Sequence, residues 1–205
     1  MLGSAAVAMW WDIAPDMKAE FEDWHSHEHM PERLAIPGFL RGTRWVAASG
    51  EPSYFVLYEV AGLATLTGGP YLERLDDPTP WSRRMMPHHR NMVRSRCQVR
   101  ASFGRGVAQA AATVRLDAPL AAEALSALPK RKGLTAAHLL ESQSMAGMPP
   151  TTEQRIRGGD AEADWVAIIG GYDVDAVGLA AREVGPRAVA GVYRLSYCLT
   201  SKDLA

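Results

Sequence analysis

The chain has 205 residues, with 47% hydrophobic and 22% charged side chains and a formal net charge of −1. That composition excludes a disordered chain, and an isoelectric point near 6.6 leaves no basic footprint for nucleic acid or an anionic membrane surface. The length admits one large domain or two of about 100 residues each.

A first strand is expected over Ala5 to Ile13. Pro15-Asp16 then opens a helix whose apolar positions Met17, Phe21 and Trp24 follow three-to-four spacing. Pro31 lacks the N–H that a helix interior needs, and it biases Met30 away from helical angles. The helix is therefore expected to end near His29, with PERLAI as a short second turn that Pro37-Gly38 closes. FLRGTRWVAAS and SYFVLYEVAG, joined by GEPS, read as a hairpin. Helical pieces follow near Pro70 to Leu75 and Trp81 to His89, and then a strand, VRSRCQVRASF, ending at Gly104-Arg105-Gly106.

The order βαββαβ is the split βαβ arrangement, and the second half repeats it. AQAAATVRLDAP is a strand, LAAEALSALPKRK a helix and LTAAHLLESQS a strand. A polar insertion, MPPTTEQRIRGGDAEA, precedes the strand DWVAIIGGYD, the helix VDAVGLAAREVG and the strand AVAGVYRLSYCLTS. The fold class is thus α+β, with tandem ferredoxin-like units over 1–105 and 106–205. An antiparallel sheet with helices on one side still needs cover on the other. Face-to-face packing of the two sheets in one chain supplies it, and so does a homodimer.

No run of about 18 uncharged apolar residues occurs, and the opening MLGSAAVAMWWDI lacks a basic flank. A cytoplasmic chain with no membrane span is expected. Cys97 and Cys198 fall inside strand-like runs and read as buried thiols that need no disulfide.

Five of the six tryptophans and five of the six histidines lie in the first half, which makes that half the place to look for a pocket. On a helix His25 and His29 share a face, whereas His27 lies about 200° round from His25. Two histidines four apart are half of a zinc site, but the flanking HExxH pattern is missing, so no metal is expected. His25 and His27 read as a solvated face. At a helix C-terminus the dipole favours a protonated His29 imidazole by about 0.3 to 1 kcal/mol, and such a group can move a proton near neutral pH. Alternation places Arg94, Arg96 and Arg100 on one strand face, read as exposed.

Trp24, Glu28, His29, Pro31, Glu32, Pro37, Gly38, Phe39, Arg41, Arg44 and Trp45 form a run that resembles the EthD-like branch of the dimeric α+β barrel superfamily. The motif covers about residues 20 to 60. The resemblance implies ferredoxin-like units whose sheets pair into a barrel. It maps the family histidine onto His29 and its acidic neighbour onto Glu28. The wider superfamily includes cofactor-free monooxygenases, muconolactone isomerases, polyketide cyclases and haem-dependent chlorite dismutases. Two units fused in one chain depart from the simplest pattern, so either an intrachain barrel or a homodimer is expected.

The resulting expectation is acid/base chemistry without a cofactor on an aromatic, lactone or polyketide-like compound. His29 is the acid/base group, Glu28 or Glu32 orients it, and Trp24, Trp45, Trp81, His88 and Arg44 bind the substrate. The alternatives are a non-catalytic small-molecule-binding or stress-associated protein and, third, a haem or metal-binding protein.

Overall fold

The computed structural model describes residues 1–50, 52–143 and 149–204. Glu51 of the expected GEPS turn, Ser144 at the end of LTAAHLLESQS and Met148 at the start of the insertion lie outside the described residues. The strands are β1 (Ala5–Ile13), β2 (Phe39–Ala47), β3 (Tyr54–Val60), β4 (His89–Gly104), β5 (Ala110–Leu116), β6 (Leu134–Ser142), β7 (Trp165–Gly171) and β8 (Val189–Thr200). They close into one antiparallel barrel in the order β1-β3-β2-β8-β5-β7-β6-β4.

The first four strands run β4-β1-β3-β2 and the last four repeat that order as β8-β5-β7-β6. The seams are β2 against β8, where Thr43 faces Cys198, and β4 against β6, where Phe103 faces Ala137. The fold is therefore an α+β barrel closed within one chain. Closure removes the sheet edges that would otherwise be open to another strand.

All nine residues of β1 are buried, because both of its faces are covered. Ala6, Ala8 and Trp10 face the barrel interior, while Ala5, Val7, Met9, Trp11 and Ile13 pack under the first set of helices. Trp10 stacks on its cross-strand neighbour Phe55 at 5.2 Å between ring centroids, and its Nε1 donates to Thr113 Oγ1 on β5 at 3.0 Å. The interior core is thus built by both halves. A third core forms outside β5, where Ala110, Ala112 and Val114 meet the helix Val174–Val184.

Several expectations shift. β4 begins at His89 rather than at Val93; Asn91 adopts φ 54°, and the β1–β4 register slips between Trp10 and Asp12. This is a bulge, which alternation cannot foresee. The helix expected over LAAEALSALPKRK shrinks to Glu123–Ser126 with a 3-10 turn at Leu128–Lys130. Cys97 is buried in the barrel, but Cys198 is exposed. Among the described residues no helix is long and apolar enough to cross a membrane.

Gly38 explains the Pro-Gly step of the motif. Its φ is +94°, and a Cβ there would sit 2.5 Å from Thr65 Oγ1. Replacing Gly38 by alanine is expected to cost about 1 kcal/mol or more, seen as a lower urea midpoint with an unchanged slope.

Candidate functional site

The helical run 15–34 does not stop at His29. A 3-10 turn, Pro15–Met17, leads into an α segment, Lys18–Trp24, a π turn, His25–His29, and a second α segment, Met30–Leu34. Within the π turn the Met30 N–H donates five residues back, to the His25 carbonyl. The widened turn gives the Pro31 ring room, and the helix continues through a residue expected to end it. The supposed helix C-terminus at His29 is absent, and with it the dipole argument for a protonated imidazole.

His25, His29 and Arg33, each four residues from the next, all line one cavity between this run and the outer face of the sheet. The sheet contributes Trp11 from β1, Tyr58 from β3, and His89 and Arg94 from β4. Glu153 and Arg157 reach the same cavity from the helix Thr152–Arg157, which lies in the polar insertion of the second half. The first half was expected to hold the pocket, yet the second half supplies part of its wall.

The free space is about 30 Å³, room for one or two waters. Trp11 Nε1, His25 Nδ1, His29 Nδ1, Arg33 Nη1 and Tyr58 OH are buried without a hydrogen-bond partner, and all five side chains line this cavity. Arg33 Nη1 is 3.6 Å from Glu32 Oε2, a charge contact too long for a hydrogen bond. Each buried unsatisfied group costs about 1 to 3 kcal/mol. Five of them approach the whole stability of an ordinary domain, about 5 to 15 kcal/mol. A polar molecule or water belongs here.

Burial, and after it the Arg33 guanidinium, holds His29 well below the usual imidazole range. Burial and then Arg44 do the same for His25. His89 is pushed down to about 3, by burial and then by Arg157. All three rings are therefore neutral at pH 7, so each carries a free nitrogen lone pair. Arg33 is buried, and its Nη2 pairs with Glu153; the nearby carboxylates raise its pKa despite burial. Glu32 Oε2 lies 4.0 Å from His29 Nδ1 and its Oε1 accepts from Arg74 Nη1 at 2.8 Å.

Of the residues expected from sequence, His29 and Trp24 line the cavity, with ring centroids 4.4 Å apart. Glu28 turns away from it. Its Oε1 accepts from Thr79 Oγ1 at 2.5 Å and from Trp24 Nε1 at 3.2 Å, so it ties the helical run to the cap of the helix Pro80–Met85. Trp45 is inside the barrel, where its Nε1 donates to Thr43 Oγ1. Trp81 is half-buried beside Glu20 and outside the cavity. Arg44 lies under the helical run, donating to the Glu22 carbonyl and to Ser196 Oγ. His88 is only half-buried, and the neighbouring His89 is the one that lines the cavity.

His27 is solvated as expected, but His25 is 1% exposed. Arg94 is buried too, its Nη2 bonded to Tyr71 OH, whereas Arg100 is exposed and pairs with Glu141. A charged residue on a strand face reads as solvent-facing only until the helix layer covers that face. The Thr152–Arg157 helix did leave a signal in the sequence. Thr151 and Gln154 form a reciprocal capping box and Gly158 closes the C-terminus at φ 85°.

Among the described residues no three His, Cys, Asp or Glu side chains converge as a metal site. Nor does the cavity as it stands hold haem or any other ring-sized ligand. Ligand pockets occupy about 300 to 1,000 Å³ against the 30 Å³ free here, and His25 is packed among Trp11, Phe21 and Trp24.

No protein-family model and no curated protein matches the chain. Solved structures do. An anthrone oxidase-like protein superposes with a TM-score of 0.64 at 10% identity, covering 98% of this chain and 94% of that one. A provisionally assigned monooxygenase from Fusobacterium nucleatum gives 0.57 at 8% identity, covering 98% and 96%. Chlorite dismutase from Candidatus Nitrospira defluvii, in complex with imidazole, gives 0.51 at 10% identity, covering 100% and 94%. At such identities the likeness concerns the fold, and it runs the length of the chain. The protein shares the α+β barrel fold of these structures, with all eight strands of the barrel in one polypeptide.

Proposed function

We propose that the chain is an acid/base enzyme of the EthD-like type that needs no cofactor. It shifts a proton on a small aromatic, lactone or polyketide-like compound, as an isomerase, lyase or cyclase does. The observation that carries the reading is a buried His29 imidazole, kept neutral by that burial, in the same small cavity as two unpartnered donors, Arg33 Nη1 and Tyr58 OH. A base and an oxyanion-stabilising pair in one place are the elements of enolisation.

In this reading a small movement brings the Glu32 carboxylate to His29 Nδ1–H and leaves Nε2 as the base. His29 removes a proton from a carbon next to a carbonyl or conjugated to it through a ring. The freed electron pair moves onto the carbonyl oxygen, which Arg33 and Tyr58 stabilise by donating to it. The imidazolium then returns the proton at another carbon. Glu28 acts at one remove, holding the Trp24 indole that flanks His29. A ring-sized substrate enters only if the Thr152–Arg157 helix gives way; that helix is six residues long and belongs to a polar insertion.

Anthrone, with its acidic methylene, is the first probe, and the fold of the anthrone oxidase-like neighbour supports that choice. The protein is expected to speed solvent-deuterium uptake at that methylene, followed by NMR. His29→Gln is expected to slow it by about 100-fold or more while circular dichroism stays unchanged. Because His29 is already neutral at pH 6.5, the rate constant should stay level from pH 8 to pH 6. Unchanged exchange in His29→Gln sinks the assignment. The narrow cavity favours one second reading, non-catalytic binding, in which anthrone quenches tryptophan fluorescence but gains no deuterium.

A further inference from the structure

Glu153 is the single carboxylate that lines the cavity among the described residues, against three guanidiniums, Arg33, Arg94 and Arg157. It is 3% exposed and reaches the site from the other half of the chain. The link it belongs to, between β6 and β7, corresponds to the short β2–β3 link of the first half, which carries no helix among its described residues. Its Oε1 accepts from Arg33 Nη2 and its Oε2 from Arg157 Nη1 at 3.4 Å.

The grip on Arg33 is incomplete. A guanidinium offers a planar fork that matches both oxygens of a carboxylate, yet Glu153 takes one prong and Arg33 Nη1 is left buried and unpartnered. Tyr58 OH is idle on the same cavity. Glu153 divides its two oxygens between Arg33 and Arg157 and so meets one prong of the fork, whereas a free carboxylate can meet both. The other acidic neighbours are committed elsewhere: Asp160 to Arg157 at 2.9 Å, and Glu32, 3.6 Å from Arg33 Nη1, to Arg74 at 2.8 Å.

We infer that Glu153 stands where a ligand carboxylate binds, and that the site takes a small aromatic carboxylic acid held by Arg33 and Arg157 with its ring beside Trp24 and His29. This rests on the reading that the cavity is the substrate site, and it extends the ligand class to acids. For these Arg33 holds the carboxylate and Tyr58 OH is left for the carbonyl oxygen; anthrone then probes proton abstraction alone. The exchange trades one carboxylate for another, so Arg33 is never left without a counter-charge. The ligand gains the second prong of the fork.

Benzoate is the probe and benzamide, its uncharged isostere, the control, with binding followed by calorimetry and tryptophan fluorescence. Wild-type protein should bind benzoate weakly, because Glu153 competes. Glu153→Gln should bind it at least about tenfold tighter, with no gain for benzamide. Equal benzoate affinity in the two proteins, or an equal gain for benzamide, overturns the inference. If the variant is unstable, its melting midpoint becomes the readout: benzoate but not benzamide should raise it toward the wild-type value, and no rise is again fatal. His29→Gln should keep benzoate binding. Protein that binds benzoate yet exchanges no anthrone protons leaves this inference standing and removes the acid/base reading; the reverse pattern removes only this one.

Discussion

Arg33→Ala is expected to lower the unfolding free energy by about 3 to 5 kcal/mol, the usual loss when one partner of a buried ion pair is removed. Arg33 is 3% exposed, pairs with Glu153, and lies 3.6 Å from Glu32. Its removal leaves Glu153, itself 3% exposed, with only the 3.4 Å contact to Arg157. The double variant Arg33→Met with Glu153→Leu should recover most of the loss, because an apolar pair of similar volume has no charge to desolvate. Urea unfolding of the three proteins measures both numbers. A cost below about 1 kcal/mol for Arg33→Ala would mean the pair is bathed in water.

Acidification below pH 6.5 should destabilise the protein steeply. His25, His29 and His89 have folded pKa values depressed below their unfolded value of 6.5, His89 to about 3. Between the two values the unfolded chain binds protons that the folded chain refuses, so stability falls as pH falls. Each histidine then removes up to about 1.4 kcal/mol per pH unit, and three together about 4 kcal/mol. The cations facing them, Arg33, Arg44 and Arg157, act in the same sense. Glu32 offsets part of this, since desolvation raises its pKa, whereas His138 at the barrel mouth, also near 3, adds to the loss. The urea midpoint should drop clearly between pH 7 and pH 5, and His89→Gln should remove about a third of the cavity's share. Equal midpoints at the two pH values would mean that these rings are solvated.

Much of the fold was legible because strands bury alternate faces. The run AAVAMWWDI could be placed as β1 from its residues alone, and it spans Ala5–Ile13 as read. Repetition of βαββαβ carried the barrel with it, since two sheets with bare faces in one chain have a ready way to cover them. The site was legible only in part. Of the candidates named from sequence, His29 and Trp24 line the cavity. His25 was read as solvated although it shares a face with His29, because Pro31 pointed toward a helix end and nothing local shows that the sheet and the Thr152–Arg157 helix cover that face. His88 was preferred to His89 because nothing local distinguishes the two until the bulge at Asn91 sets which one turns inward.

The sequence by itself determined the strands and their order and the Glu28-His29 to Pro37-Gly38 motif, though not every helix boundary, because period, capping and turn chemistry act over a few residues. Only the tertiary structure decided that Trp45 serves the barrel interior and that Arg94 is buried. It also decided that Glu153 and Arg157, more than 120 positions along the chain from His29, complete the cavity. Those facts depend on which face is covered and by what. Barrel closure and one inserted helix settle that, and neither leaves a trace in the spacing of the residues they bring together.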